Sequence, residues 1–145
     1  MIRSILVVCR GNVCRSPVTA AMLQRRLPHC RVASAGLAAL AGRGVAPEAL
    51  HLAEADGIDV REHRARQLDD QQLAEADLVL VMSEGQRREV TERWPQAMGK
   101  VMRLGHWLAQ GQGLDIPDPY GRSPAVFERV HRLLGDASDT WIPRL

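Results

Sequence analysis

The segment Cys9-Arg10-Gly11-Asn12-Val13-Cys14-Arg15-Ser16 sets a cysteine and an arginine on either side of five residues, one of them a glycine. A loop of this size curling at a helix amino terminus turns successive main-chain N–H groups inward, adds the positive end of the helix dipole, and so binds an oxyanion. Arg15 adds a guanidinium fork that can hold two phosphate oxygens at once. Gly11 is expected to supply the backbone freedom that such a turn demands. Cys9 faces that cup, and the form that attacks phosphorus is its thiolate, which a positive surrounding favours. The bland alternative is a small buried thiol ending a strand. A nucleotide-binding Walker loop does not fit, because no Gly-Lys-Ser/Thr follows, and Cys9, Cys14, His29 and Cys30 lack ordinary zinc spacing.

A thiolate that displaces an ester oxygen cannot protonate it, so a second group must. Asp118, in Ile116-Pro117-Asp118-Pro119-Tyr120-Gly121, is the candidate, held by two prolines in a loop after the last strand signal. A solvated turn aspartate is the alternative. Tyr120 could wall the pocket or simply pack.

These residues need a scaffold. Ile5 to Val8 reads as a strand buried on both faces, followed by the polar loop and a helix opening at Ser16-Pro17 and running to about Leu27. Arg31 to Ser34 is a second strand, and Pro47 to Asp56 a helix closed by Gly57. Leu78 to Val81 is the clearest later strand, followed by a charged helix from about Ser83 to Arg93 that Trp94-Pro95 ends. Val101 to Leu104 is a fourth strand, and Pro124 to about Ile142 a last helix with Val126, Phe127, Val130 and Leu133-Leu134 on its apolar face. The alternation predicts an α/β doubly wound sheet with ligands at the carboxyl ends of the strands.

The chain has 145 residues, 46% hydrophobic and 25% charged, which suits one soluble domain over residues 1–145 and not a disordered or fibrous chain. The apolar run before Arg10 is too short for a secretory or membrane segment, and three cysteines are an odd number. Reduced thiols in the cytoplasm, without membrane insertion, are expected. The net charge of +2 and an aromatic fraction of 3% are too mild for a nucleic-acid partner; of the nineteen basic residues all but Lys100 are Arg.

With these motifs in place the chain resembles the low-molecular-weight protein tyrosine phosphatases over essentially its whole length: Val8 to Pro17 matches the phosphate loop, and Asp118-Pro119-Tyr120 the late acid loop. The resemblance implies a three-layer α/β/α domain with a central four-stranded parallel sheet and the phosphate loop between strand 1 and helix 1. It implies Cys9 as nucleophile, Arg15 as phosphoryl binder together with the loop residues Arg10 to Cys14, and Asp118 as acid and then base. No metal or other cofactor is implied, and inorganic phosphate would be product and inhibitor. Asn12, Ser16, Ser34 and His63, the last two within Ser34-Ala35-Gly36 and His63-Arg64-Ala65-Arg66-Gln67, resemble the family's supporting hydrogen-bond network. From the residues alone His63 could equally be a surface histidine. Cys14 resembles the family's redox partner for Cys9; packing is its alternative.

Some positions depart from the pattern. Arg10 stands where relatives carry an apolar or small residue, adding a cation that would favour acidic peptides or point to water. Leu40 replaces an aromatic wall of animal relatives, and Ser83 a common acidic residue. Lys100-Val101-Met102 and Gly105-His106-Trp107 resemble the bacterial branch associated with capsule and exopolysaccharide export, which implies a membrane tyrosine autokinase as the phosphotyrosine partner. Arsenate reductases share the fold but need further cysteines near Met82 to Arg93, which are missing here. Phosphoarginine phosphatases tend to carry Thr at the position of Val13, and a non-catalytic phosphotyrosine-binding module would have no use for Asp118.

Overall fold

The computed structural model describes residues 1–145. Four strands form its sheet: β1 (Ser4–Cys9), β2 (Arg31–Gly36), β3 (Leu78–Val81) and β4 (Val101–Arg103), in the order β2-β1-β3-β4. All three pairings are parallel, with Val7 opposite Ser34 on one side and Leu80 on the other. Ile5 to Cys9 and all of β3 are buried, as apolar strands between two covered faces must be. The order reverses at β1, so the loop leaving β1 opens at the crevice where doubly wound sheets bind ligands.

Five α-helices cover the sheet: α1 (Arg15–Arg26), α2 (Pro47–Ala55), α3 (Asp70–Glu75), α4 (Glu84–Arg93) and α5 (Pro124–Trp141). Val18, Met22 and Leu23 of α1 and Phe127, Val130 and Leu134 of α5 pack with Ile5, Val7 and Leu80 on one face. Leu73, Val90 and Trp94 pack with Leu6, Val8 and Val79 on the other. The fold is therefore the expected three-layer α/β/α arrangement. Each fully buried Val or Leu contributes roughly 1.5–3 kcal/mol against exposure.

The expected helices and strands match to within one or two residues, with two differences of substance. The α3 helix lies where the sequence shows no long apolar period; a capping box between Asp69 and Gln72 starts it instead. The single lysine ends it, Lys100 Nζ donating to the carbonyls of Leu73 at 2.6 Å and Ala76 at 2.7 Å. The fourth strand stops at Arg103, because Leu104 already belongs to a short 3₁₀ turn, Leu104–Trp107. Ser83 is the N-cap of α4, its Oγ accepting from the Gln86 N–H, which gives this departure from the family pattern a structural role.

Candidate active site

Between β1 and α1 the chain makes the loop that carries Cys9 at its start and Arg15 at its end. The main-chain N–H groups of Gly11 through Arg15 donate to no other protein group, while that of Ser16 points at Cys9 Sγ from 3.4 Å. A run of unpaired donors at the start of a 12-residue helix is an anion cradle.

The left-handed residue of this loop is Asn12, at φ 59°, and not Gly11, whose φ is outside that region. The expectation for Gly11 is thus corrected: a Cβ there would meet Val13 and Leu40 only at ordinary contact distances, 3.6 and 3.7 Å. Asn12 tolerates the conformation because its side chain is fully engaged. Its Nδ2 donates to Ser16 Oγ (2.7 Å) and Ser34 Oγ (3.0 Å), and its Oδ1 accepts the Arg66 N–H (3.0 Å). His63 Nε2 lies 2.7 Å from the Asn12 carbonyl and donates to it, since a carbonyl can only accept. The expected supporting residues Asn12, Ser16, Ser34 and His63 therefore meet, with Arg66 added. Burial pushes the His63 imidazole below its ordinary value, and the nearby Arg64 and Arg66 act in the same direction against the Asn12 contact.

Ser16 Oγ lies 2.9 Å from Cys9 Sγ. A thiolate can only accept, so Ser16 donates to it, and the Asn12 bond to the same oxygen leaves that hydroxyl proton free. Cys14 is buried at the head of α1, and its thiol is pushed up to about 12 by burial first and by the neighbouring Cys9 and Asp118 next. Cys9, Cys14 and Cys30 are all free thiols.

Arg15 is only 4% exposed. Its Nη1 donates to the Ile116 carbonyl (2.7 Å), its Nη2 lies 3.6 Å from Asp118 Oδ2, and its buried Nε has no protein partner. Buried donors are almost always paired, so this guanidinium is not fully satisfied by the protein's own groups. The Ile116 N–H donates in turn to the Met82 carbonyl at 2.8 Å, which ties the acid loop to the end of β3. Beyond it Asp118 Oδ1 accepts the Tyr120 N–H at 3.1 Å in a local turn, and the carboxylate stays 45% exposed toward the pocket. Sequence reasoning passed over Ile116, and a backbone carbonyl leaves no mark on a sequence.

A pocket of about 140 Å³ brings Cys9, Val13, Arg15, Leu40, Asp118 and Tyr120 together. Leu40 and Tyr120 line it, and Cys14 and Gly11 also border it. Arg10 borders it too, but its guanidinium turns to Glu89 of α4, 3.0 Å away, and neither adds a free cation nor points to water alone. A larger cavity of about 380 Å³ opens beyond Ser34 and His63 and contains neither Cys9 nor Asp118, so size does not mark the reactive site. Gly36 permits the loop to sit so close to β2: a Cβ there would lie 2.8 Å from the Arg10 carbonyl. Trp107 packs on Trp141 and under Arg144, a structural role away from this pocket.

A thiol, an anion cradle and a carboxyl on one small pocket can together carry out displacement at phosphorus. Known proteins are similar throughout. The family model described as "Low molecular weight phosphotyrosine protein phosphatase" matches residues 4–145. The chain is 42% identical to "Probable low molecular weight protein-tyrosine-phosphatase EpsP" of Ralstonia nicotianae, across 100% of this chain and 97% of that one. The crystal structure of the tyrosine phosphatase Wzb from Escherichia coli K30 in complex with sulphate superposes with a TM-score of 0.94 at 38% identity, covering 99% of each chain. Vibrio vulnificus Wzb in complex with benzylphosphonate gives 0.94 at 38% identity over 100% of both. The chain accordingly belongs to the low molecular weight phosphotyrosine protein phosphatase family.

Proposed function

We propose that this protein tyrosine phosphatase works through Cys9, Arg15 and Asp118, and that one observation carries the reading: these three residues border a single pocket. The loop N–H groups and Arg15 hold the phosphoryl oxygens and stabilise the charge that develops on them in the transition state. The Cys9 thiolate attacks phosphorus, the bond from phosphorus to the tyrosyl oxygen breaks, and Asp118 gives that oxygen its proton. Asp118, now a carboxylate, takes a proton from the water that attacks the phosphocysteine. The S–P bond breaks, phosphate leaves and the Cys9 thiolate returns. The Ser16 hydroxyl at 2.9 Å supports the thiolate at both ends of the cycle.

Leu40 and Tyr120 on the pocket lining suit an aryl ring, and Val13 offers an apolar side chain where a phosphorylated guanidinium would prefer a polar one. Phosphotyrosine is therefore the substrate, in preference to phosphoarginine. The likeness to proteins named EpsP and Wzb, together with the Lys100-Val101-Met102 and Gly105-His106-Trp107 segments, supports a bacterial tyrosine autokinase of polysaccharide production as partner, met from the cytoplasm.

Turnover of p-nitrophenyl phosphate in EDTA tests the mechanism. Cys9→Ser abolishes it, and Asp118→Ala lowers it by roughly 10²–10⁴-fold. Full activity of Cys9→Ser overturns the assignment. Phosphotyrosine and phosphoarginine peptides compared side by side test the substrate.

A further inference from the structure

The arginines around the pocket mouth are not electrostatically equivalent. Arg10 meets Glu89 through two contacts, Nη2 to Oε1 at 3.0 Å and Nη1 to Oε2 at 3.3 Å, so its charge is already matched. A substrate carboxylate could reach Arg10 only by displacing Glu89, exchanging one ion pair for another. Arg43 is placed differently. Its N–H donates to the Leu40 carbonyl (3.1 Å) and its own carbonyl accepts the Ala65 N–H (2.8 Å), which fixes its backbone between a pocket wall and the 63–67 segment. Its Nη1 reaches the hydroxyl of Tyr120, a half-exposed residue that lines the pocket, at 3.5 Å. That partner is neutral, so the guanidinium at the mouth keeps its full charge. Arg64, which borders the larger cavity and not this pocket, donates its Nη1 to the carbonyls of His63 (2.8 Å) and Arg61 (3.5 Å).

We propose that Arg43 is a specificity-determining residue that selects phosphotyrosine sites with an Asp or Glu side chain beside the phosphotyrosine. This rests on the phosphotyrosine reading above and assigns the acidic preference, which the sequence suggested for Arg10, to a different arginine. A ring held against Leu40 and Tyr120 brings its neighbouring residues past the Arg43 guanidinium. A carboxylate there gains an unmatched cation, and a lysine there meets like charge. The contact is exposed, so the preference is modest and salt-sensitive: about two- to fivefold in kcat/KM at low ionic strength, shrinking as salt shortens the screening length.

The test uses one phosphotyrosine peptide in three forms, with Glu, Gln or Lys next to the phosphotyrosine, and four proteins: wild type, Arg43→Gln, Arg43→Lys and Tyr120→Phe. The wild type is expected to rank Glu above Gln above Lys, mainly through KM. Arg43→Gln levels the three, Arg43→Lys keeps the order, and Tyr120→Phe, which removes only the hydroxyl, keeps it too. An unchanged ranking in Arg43→Gln overturns the proposal. So does equal levelling by Tyr120→Phe, which would make Arg43 merely a prop for that ring. Dissociation constants measured in a Cys9→Ser background must show the same ranking, and their failure to do so also overturns it. Absence of wild-type turnover on all three peptides is a distinct result, which removes the phosphotyrosine reading itself.

Discussion

Replacement of Asn12 probes the part of the site on which everything else depends. Asn12→Ala removes the donor shared by Ser16 and Ser34 and leaves the part-buried Arg66 N–H without its acceptor. An unsatisfied buried donor costs about 1–3 kcal/mol, and a left-handed alanine adds about 1 kcal/mol over asparagine, so about 3 kcal/mol is at stake. Expressed as stability in a domain of this size, that lowers Tm by about 6–12 °C. If the loop relaxes instead, the same energy appears as about a 100-fold loss of kcat/KM. Asn12→Gly separates the contributions, because glycine accepts φ 59° without strain while losing the same bonds. It should melt about 2–4 °C above the alanine variant, which corresponds to about 1 kcal/mol. Calorimetry and turnover of p-nitrophenyl phosphate read both quantities. Wild-type Tm and kcat/KM in Asn12→Ala, or an alanine variant at least as stable as the glycine one, would refute the reasoning.

Two further outcomes follow from the ionisable groups. Burial holds the folded His63 below the ordinary value of 6.5, so between those two values the unfolded chain binds more protons and stability falls on acidification. Melting curves from about pH 7 to pH 5 should therefore slope downward, and less so in His63→Gln, which can keep a donor for the Asn12 carbonyl; identical slopes would count against this. Because the Cys14 thiol is pushed up to about 12, iodoacetamide at about pH 7.5 should modify Cys9 and spare Cys14. Rapid labelling of Cys14 in a Cys9→Ser variant would contradict it.

The rigid attachment of the acid loop matters for how the enzyme works. Ile116 is gripped by Arg15 from one side and by the Met82 carbonyl from the other, and Pro117 and Pro119 restrict the backbone around Asp118. Arg15 and Asp118, the proposed phosphoryl binder and the proposed acid, are thereby referenced to the same strand ends. Preorganisation of this kind removes the cost of arranging both groups as the reaction proceeds.

Much of this was written in short stretches of sequence. Cys9 to Ser16 is contiguous, so the proposed nucleophile, the cradle and Arg15 were legible together, and the apolar runs at Ile5 to Val8 and Leu78 to Val81 announced buried parallel strands. Asp118 stood out because two prolines flank it. The short α3 was not legible as a periodic pattern, since its six residues show less than two turns, although the Asp69 and Gln72 spacing was there to be read.

Tertiary structure alone decided what depends on partners far along the chain. The Arg10 charge is matched by Glu89, seventy-nine residues away, and the Arg15 Nη1 is taken by a carbonyl 101 residues away. Neither pairing has a local signature, so composition could count these cations but not say which remained free. The left-handed conformation fell on Asn12 for the same reason, because the Ser34, His63 and Arg66 groups that sustain it come from β2 and from the segment beyond α2. Local sequence determined which chemical groups the loop contains; the packing of distant segments determined which of those groups are already satisfied and which are left for a substrate.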